Sequence, residues 1–374
     1  MRRASIGLLI AAALVASMPT TEAHKPITSP FTYTADVLPI VRERCGQCHA
    51  PGGVAPMSLL THNDAVPWGE PMRIELAAGH MPPWSIDRGA ARFRTPGNLS
   101  AREMNVLLTW ATGGTPAGDV TAEREPAPAA PAWRLGSPDA VIDLPAFTLR
   151  ATDQEQFAEF TVPAPAAGGA IRAVDLLPGT AAMVRSASIE IAGQDSTRAV
   201  RDERVLALWV PGDETQPLTR GTFQLPPDSM LVVRVRYRKT WSYEGKSLTD
   251  TSRVGLYFTS GTAAKVRAVT VAPGRPVTLP QSSQALAVYA VANGGVTLTA
   301  IRPDRQREEL IAFHPRPGWT RRFWFREPVS LPRGTTLSVR VVPDPPSLLP
   351  PDVAAASGSQ GTPATGRVTV NIVE

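Results

Sequence analysis

The spacing of apolar residues is helical in the first third of the chain. It predicts helices over residues 34–44 and 68–78. A further helix is predicted to begin at Ser100, because Ser100 and Glu103 have capping-box spacing, and to end at Gly113-Gly114. Residues 24–118 are therefore expected to form a small all-α domain.

Beyond residue 135 the apolar residues recur at every second position, as in half-buried antiparallel strands. This alternation is found in residues 233–238, 337–341 and 368–372, and a further strand at 296–300 follows the turn signal Asn293-Gly294-Gly295. Helical spacing is hard to find in this region. We therefore expect an all-β region of one or two antiparallel β-sandwiches, and its length of roughly 240 residues favours two.

The same patterns divide the chain. Residues 119–134 are rich in proline and alanine and predict a semi-rigid linker. The first β-sandwich is expected over 135–260 and the second over 261–374. A long surface loop is expected at 343–366, before the final strand.

The N-terminus has the order of a secretory signal peptide. Arg2 and Arg3 precede an apolar run at 6–16, and small and polar residues follow it. We expect residues 1–23 to be removed by cleavage near Ala23, which places the mature protein in the periplasm. No later run approaches 18 apolar residues, so no transmembrane segment is expected in the mature chain.

Composition narrows the class of partner. The 374 residues include 38 prolines and 29 glycines, with 43% hydrophobic and 19% charged residues, which is typical of a folded, turn-rich chain. The formal net charge of +5 is scattered, without the run of Lys and Arg that would bind phosphates. Nucleic acid is therefore not an expected partner.

Both cysteines of the chain lie in one motif, Cys45-Gly46-Gln47-Cys48-His49. In C-x-x-C-H, two thiols about one helical turn apart can bond covalently to the vinyl groups of a haem. The adjacent histidine then binds the iron as proximal ligand. The motif therefore predicts one covalent haem c, held by Cys45 and Cys48 with His49 as axial ligand.

Two other readings of the motif stay open. A thioredoxin-like dithiol is expected between a strand and a helix, whereas this motif follows a helical pattern. Half of a zinc site would need further Cys or His ligands, which the sequence does not group nearby.

A haem iron usually has a sixth ligand, and Met81 is the favoured candidate. The prolines of Met81-Pro82-Pro83-Trp84 exclude a helix and hold the methionine in an extended segment. Other candidates are Met57, His62, Met72 and His80. Trp84 and Arg73 are weaker candidates for the haem pocket, against core packing and a solvated helix face.

Residues 30–118 resemble class I c-type cytochromes, through the helix that runs into C-x-x-C-H, the Met-Pro loop and the closing amphipathic helix. Within that family they look most like the haem domain found beside copper type II, ascorbate-dependent monooxygenase-like domains. This finer resemblance rests on residues 33–40, 51–59 and 81–84.

The β region has a looser resemblance to the peptidylglycine hydroxylating monooxygenases, through residues 208–213, 225–227 and 325–335. In that family several histidines and one methionine hold two copper ions. Here His314 is the one histidine beyond the linker, and Met183-Val184-Arg185-Ser186 stands where relatives carry paired histidines. We therefore expect a degenerate monooxygenase-like region and no copper.

The leading expectation is a periplasmic c-type cytochrome that transfers single electrons through its haem to or from a redox partner protein. The β region would be its docking or scaffold module, and no bond-making catalysis is required. One alternative is a haem enzyme or ligand sensor with an open sixth site. Another is a copper-dependent monooxygenase fed by its own haem domain, and a third is a β region that binds a small molecule or polymer.

Overall fold

The computed structural model describes residues 28–84, 86–95, 97–121, 133–193, 204–213, 215–261, 263–343 and 365–374. The proposed signal peptide, most of the predicted linker and most of the predicted 343–366 loop lie outside these residues. Strands make up 41% of the structure and helices 16%. Among the described residues the protein is therefore mostly β, with its α-helices in a short N-terminal part and one 3₁₀ turn, Trp241–Tyr243, in the β region.

The helices lie in residues 28–121, called here the helical segment. They comprise a π-helical turn Tyr33–Val37 continuing into α1 Leu38–Arg44, then α2 His62–Ala65, a 3₁₀ turn Val66–Trp68, α3 Gly69–Ala77, a 3₁₀ turn Ala90–Arg92 and α4 Ala101–Thr112. Their buried side chains, among them Tyr33, Val41, Leu107 and Trp110, form a small core of their own. The predicted capping box is confirmed, since Glu103 N donates to Ser100 Oγ and Ser100 N to Glu103 Oε2.

The prediction of a small all-α domain is wrong. After α3 the chain is extended and forms strand β1, Ile86–Arg88, which pairs with β16, Arg307–Phe313, in the last third of the chain. Two prolines follow Met81 and Gly89 has a φ of 87°, so this stretch cannot continue a helix. Its apolar side chains are buried in the core of the β region instead of a helical core.

The remaining strands are β2 Ala140–Asp143, β3 Phe147–Leu149, β4 Glu155–Pro163, β5 Gly169–Leu177, β6 Val184–Ile191, β7 Val205–Trp209, β8 Phe223–Leu225, β9 Met230–Arg238, β10 Leu248–Asp250, β11 Arg253–Phe258, β12 Arg267–Val271, β13 Val277–Thr278, β14 Ser283–Ala292, β15 Gly295–Ile301, β17 Phe323–Leu331, β18 Thr336–Val342 and β19 Gly366–Val373.

Strands β2 to β11 form the first sandwich. One sheet has the order β2-β11-β5-β8, the other β4-β9-β6-β7, and β3 and β10 make a separate pair. The predicted alternation is confirmed in β9, where Val233, Val235 and Tyr237 are buried between half-buried arginines. Their paired neighbours on β4 and β6 extend the same buried face of this sheet, and the sheet β2-β11-β5-β8 supplies the other side of the core. The expectation of β-sandwich structure therefore fits.

Strands β12 to β19, joined by β1, form the second sandwich. Its sheets have the orders β1-β16-β15-β18-β13 and β12-β19-β14-β17. In the second sheet β19 is central and is buried on both faces, including Thr369 and Asn371, which the alternation had predicted to be exposed. Neighbouring residues Leu286 and Val373 contribute to the core of the first sandwich, so this sheet is covered from both sides.

No helix in the part of the chain that the structure describes is long and apolar enough to cross a membrane.

Phe93 is the side chain on which the joint between the helical segment and the second sandwich depends most directly. Phe93 is fully buried, and its ring stacks on the ring of Phe325 with 4.7 Å between the centroids. The backbones of the two residues also form an isolated antiparallel β-bridge. We expect Phe93→Ala to lower the free energy of unfolding by about 3–5 kcal/mol, because a large buried ring is replaced by a cavity. Urea unfolding followed by fluorescence measures it. Phe157→Ala is the control, since Phe157 is 75% exposed, and equal losses in both variants would contradict the assignment.

Candidate functional site

The Cys45–His49 motif forms one tight turn at the C-terminal end of α1. Cys45 caps the helix and its amide donates to the Val41 carbonyl at 2.9 Å. The amides of Cys48 and His49 then both donate to the Cys45 carbonyl, at 3.0 and 2.9 Å. This turn brings two sulfur atoms and one imidazole together. It also places both thiols at the negative end of a helix dipole, which does not favour a thiolate.

Burial keeps both thiols protonated. It raises the pKa of Cys45 to about 12, reinforced by the charge of Cys48. Burial also raises the pKa of Cys48, to about 11, although the positive charges of Arg185 and Arg134 oppose the rise. Since a thiolate is the reactive form, these cysteines are poor nucleophiles at neutral pH.

His49 is held neutral in the same environment. Burial lowers its pKa, against a smaller opposing effect of a hydrogen bond with the Met57 backbone. The Nδ1 atom is buried and has no hydrogen-bond partner among the described residues. A neutral imidazole with one unsatisfied nitrogen is chemically available as a ligand or as a proton acceptor.

The first sandwich covers the motif. The Cys48 thiol donates to the Pro211 carbonyl at 3.7 Å. A Cβ placed on Gly212, whose φ is 80°, would lie 3.6 Å from the Cys48 sulfur and 3.3 Å from the ring of Trp84. Both side chains therefore pack against the Gly212 backbone, and the 210–213 loop lies directly on the motif.

Three further contacts join the motif and its following loop to the linker end and the first sandwich. Arg185, at the start of β6, donates to the Val54 carbonyl. Ser242 Oγ donates to the Pro56 carbonyl at 3.2 Å. Arg134 donates to Gln47 Oε1 within the motif itself, at 2.5 Å. The motif thus lies at the boundary between the helical segment and the first sandwich.

The second sandwich positions the 210–213 loop. Arg321, which is 4% exposed, pairs with Asp213 at 2.7 Å. Its guanidinium also lies over the rings of Trp84 and Phe323, at 5.1 Å from each centroid. One buried cation therefore connects the second sandwich, the residue after Gly212 and the extended stretch of the helical segment.

Of the predicted haem-pocket residues, Trp84 lies near the motif, whereas Met81 and Arg73 are exposed. Trp84 packs near the motif through Gly212, as just described. Met81 is 39% exposed. The ring of the preceding His80 pairs with Glu75 at 3.0 Å, and Arg73 pairs with Glu70 at 2.6 Å on the exposed face of α3. The charge of Arg73 is therefore used in a surface ion pair.

The structure contradicts the predicted covalent haem c and the metal site that went with it. The helices do not form a separate haem-binding fold, because the stretch after Met81 belongs to the second sandwich. Within the described residues no group of three His, Cys, Asp or Glu side chains is placed to hold a metal ion. The Cys48 sulfur is packed against the backbone of Pro211 and Gly212, so protein occupies this side of the motif.

Arg185, Pro211 and Gly212 are neighbours of the motif that no local sequence pattern indicated. They follow it by more than 130 residues. Arg185 stood out in the sequence only as a residue that replaces a histidine of the resembling family. Its contact with the Val54 carbonyl, in the loop after the motif, comes from the packing of two parts of the chain.

No protein-family model and no curated protein matches the chain. Among solved structures, a vicilin from Solanum melongena is 9% identical, with a TM-score of 0.13, over 59% of this chain and 74% of that chain. A single-site variant of the oxalate decarboxylase from Bacillus subtilis is 8% identical, with a TM-score of 0.13, over 61% of this chain and 72% of that chain. Structural similarity with TM-scores this low supports no conclusion about the fold or the function of this protein.

The raised pKa values predict slow alkylation of Cys45 and Cys48. At neutral pH we expect iodoacetamide to modify both residues much more slowly in the folded protein than in the same protein unfolded in guanidinium chloride. The rate in the folded protein should rise as the pH approaches 11, where the Cys48 thiol ionises. Peptide mass spectrometry measures both rates. Equal rates in the folded and unfolded protein would contradict the burial of the thiols.

Breaking the Arg321–Asp213 pair should be strongly destabilising. Arg321→Met leaves Asp213 without its buried partner, and we expect a loss of about 3–5 kcal/mol in the free energy of unfolding. Arg88→Met is the matched control, because Arg88 pairs with Glu309 at the exposed edge of the same sandwich and its loss should change stability little. Urea unfolding of both variants tests this. A loss for Arg321→Met no greater than that of the control would contradict the assigned role.

Proposed function

We propose that the protein is an exported electron-transfer protein of the bacterial periplasm. Its redox centre is the Cys45–His49 turn, and its β-sandwiches are the scaffold that encloses this centre and docks a redox partner protein.

The chemistry of the turn supports this proposal. Sulfur is the element in an unmodified chain that changes oxidation state most readily, and both cysteines of this chain lie in one turn with two residues between them. A neutral imidazole follows them directly. The sequence resemblance of the same residues to an electron-transfer family points in the same direction.

The enclosure of the turn is the single observation that carries the proposal. Residues 134, 211 and 212, all outside the helical segment, lie against the five-residue motif, and Arg185 binds the loop that follows it. Exclusion of water lowers the local dielectric and thereby tunes the potential of a redox centre.

The β region supports a scaffold role better than catalysis of its own. It has one histidine, His314, whose Nδ1 pairs with Asp87 of the helical segment at 2.8 Å. This pair joins the segment to the second sandwich at an exposed position.

A redox titration of the protein recovered from a bacterial periplasm tests the proposal. We expect a reversible couple in the wild type that is lost in the Cys45→Ser/Cys48→Ser double variant, while circular dichroism shows both proteins folded. Met72→Leu is a matched control within the helical segment and should keep the couple. A wild type without a couple, or a couple that survives in the double variant, would contradict the proposal.

The mass of the peptide that contains residues 45–49, from the same samples, identifies the carrier. A loss of two hydrogens on oxidation would show a dithiol that forms a disulfide. A heavier adduct bonded to both sulfurs, in a host able to attach such groups, would show a thioether-bound prosthetic group, contrary to the packing of protein against the Cys48 sulfur.

A further inference from the structure

A large aromatic side chain is exposed beside the loop that covers the motif. This loop lies directly on the motif, since the Ala55 amide donates to the carbonyl of its second cysteine at 3.0 Å. The next residue, Pro56, accepts a hydrogen bond of 3.2 Å from Ser242 Oγ. Ser242 belongs to a 3₁₀ turn that begins at Trp241, whose side chain is 64% exposed. Two hydrogen bonds therefore connect the motif to a turn that carries an exposed tryptophan.

Strand β9, which precedes this turn, continues the surface. Its arginines alternate with core residues, so Arg236 and Arg238 lie on its outer side, where Arg236 is partly buried and Arg238 is 58% exposed. Opposite Arg236 on β4 is Phe157, which is 75% exposed, and the guanidinium lies 5.8 Å from the centroid of its ring. We call Phe157, Arg236, Arg238 and Trp241 the aromatic–arginine face. Aromatic residues and arginine are the types that are enriched in protein–protein interfaces.

The aromatic–arginine face has an excess of positive charge. Glu155 is shared by both of its arginines, since it pairs with Arg236 at 2.7 Å and lies 3.8 Å from Arg238. In the loop after β9, the exposed Glu244 and Lys246 carry opposite charges and add nothing to the balance. One carboxylate therefore serves two guanidiniums, and the more exposed of the two is the one held at the longer distance.

We propose that the aromatic–arginine face is the surface on which a redox partner protein docks, and that the docking surface of this partner is acidic. This inference rests on the proposed electron-transfer function, to which it adds the place and the charge of the partner. The excess positive charge steers an acidic surface to the face, and the exposed rings are then removed from water on contact. Because the face adjoins the loop that covers the motif, a partner bound there lies close to the redox centre.

The experiment measures binding of the protein, recovered from a bacterial periplasm, to an isotope-labelled ferredoxin chosen for its acidic surface. NMR titrations compare the wild type with Arg238→Glu, Trp241→Ser and Arg267→Glu at low and high ionic strength. Arg267→Glu is the matched control, because Arg267 is also 58% exposed, makes the same change in net charge and lies on β12 of the second sandwich. Circular dichroism checks that all variants are folded.

At low ionic strength we expect the dissociation constant to rise about tenfold in Arg238→Glu, because like charges then meet at the interface. It should rise several-fold in Trp241→Ser, which loses an apolar contact. Arg267→Glu should bind like the wild type. The wild-type complex should weaken as salt is added, since exposed charges are screened.

Three results would overturn the inference. These are equal affinities of Arg238→Glu and Arg267→Glu, no binding of the ferredoxin by the wild type, and self-association of the wild type that is lost in Trp241→Ser, which would make the face a contact between two copies of this chain. The redox titration of the same samples would still support the proposed function in each case. A wild type that binds the ferredoxin through this face but has no redox couple would refute the proposed function instead.

Discussion

The structure depends on the extended stretch that leaves the helical segment after α3 and enters the second sandwich. Strand β1 completes one edge of a five-stranded sheet, and Phe93 stacks on Phe325 in the core beneath it. The backbone of Arg94 continues this joint by donating to the Trp324 carbonyl at 3.0 Å. Because the helices are tied to the sheet in this way, the Cys45–His49 turn is held against the β region and is not free to move on a linker.

Buried arginines connect the parts of the protein. Arg321 joins the second sandwich to Asp213 and Trp84, and Arg185 joins the first sandwich to the loop after the motif. Arg322 donates to the carbonyls of Val205 and Leu206 and lies among the rings of Phe223, Tyr289 and Trp324. Guanidinium suits these places, because it is weakly hydrated, stacks on aromatic rings and offers several donors in one plane.

The two thiols lie at a helix C-terminus, where the helix dipole does not activate them. Their pKa values are set mainly by burial among the surrounding residues. A thiol at a helix N-terminus is activated by the positive end of the dipole, whereas these two thiols have raised pKa values and little reactivity of their own. The charges and carbonyls that act on Cys48 come from Arg185, Arg134 and Pro211. The β region therefore has a direct physical role at the motif, as its electrostatic environment.

The elements whose signal is local could be predicted from the sequence alone. The capping box of α4, the alternation of β9 and the grouping of two cysteines with a histidine are all consequences of neighbouring residues, so they could be predicted correctly. The surroundings of these elements depend on long-range packing, which the sequence pattern does not show. The exposed face expected for β19 is buried because another sheet covers it, and residues 86–93 join a sheet more than 200 residues away. Arg185 lies at a bulge of β6 and binds the carbonyl of Val54, and no local pattern indicates a contact between residues so far apart in the chain.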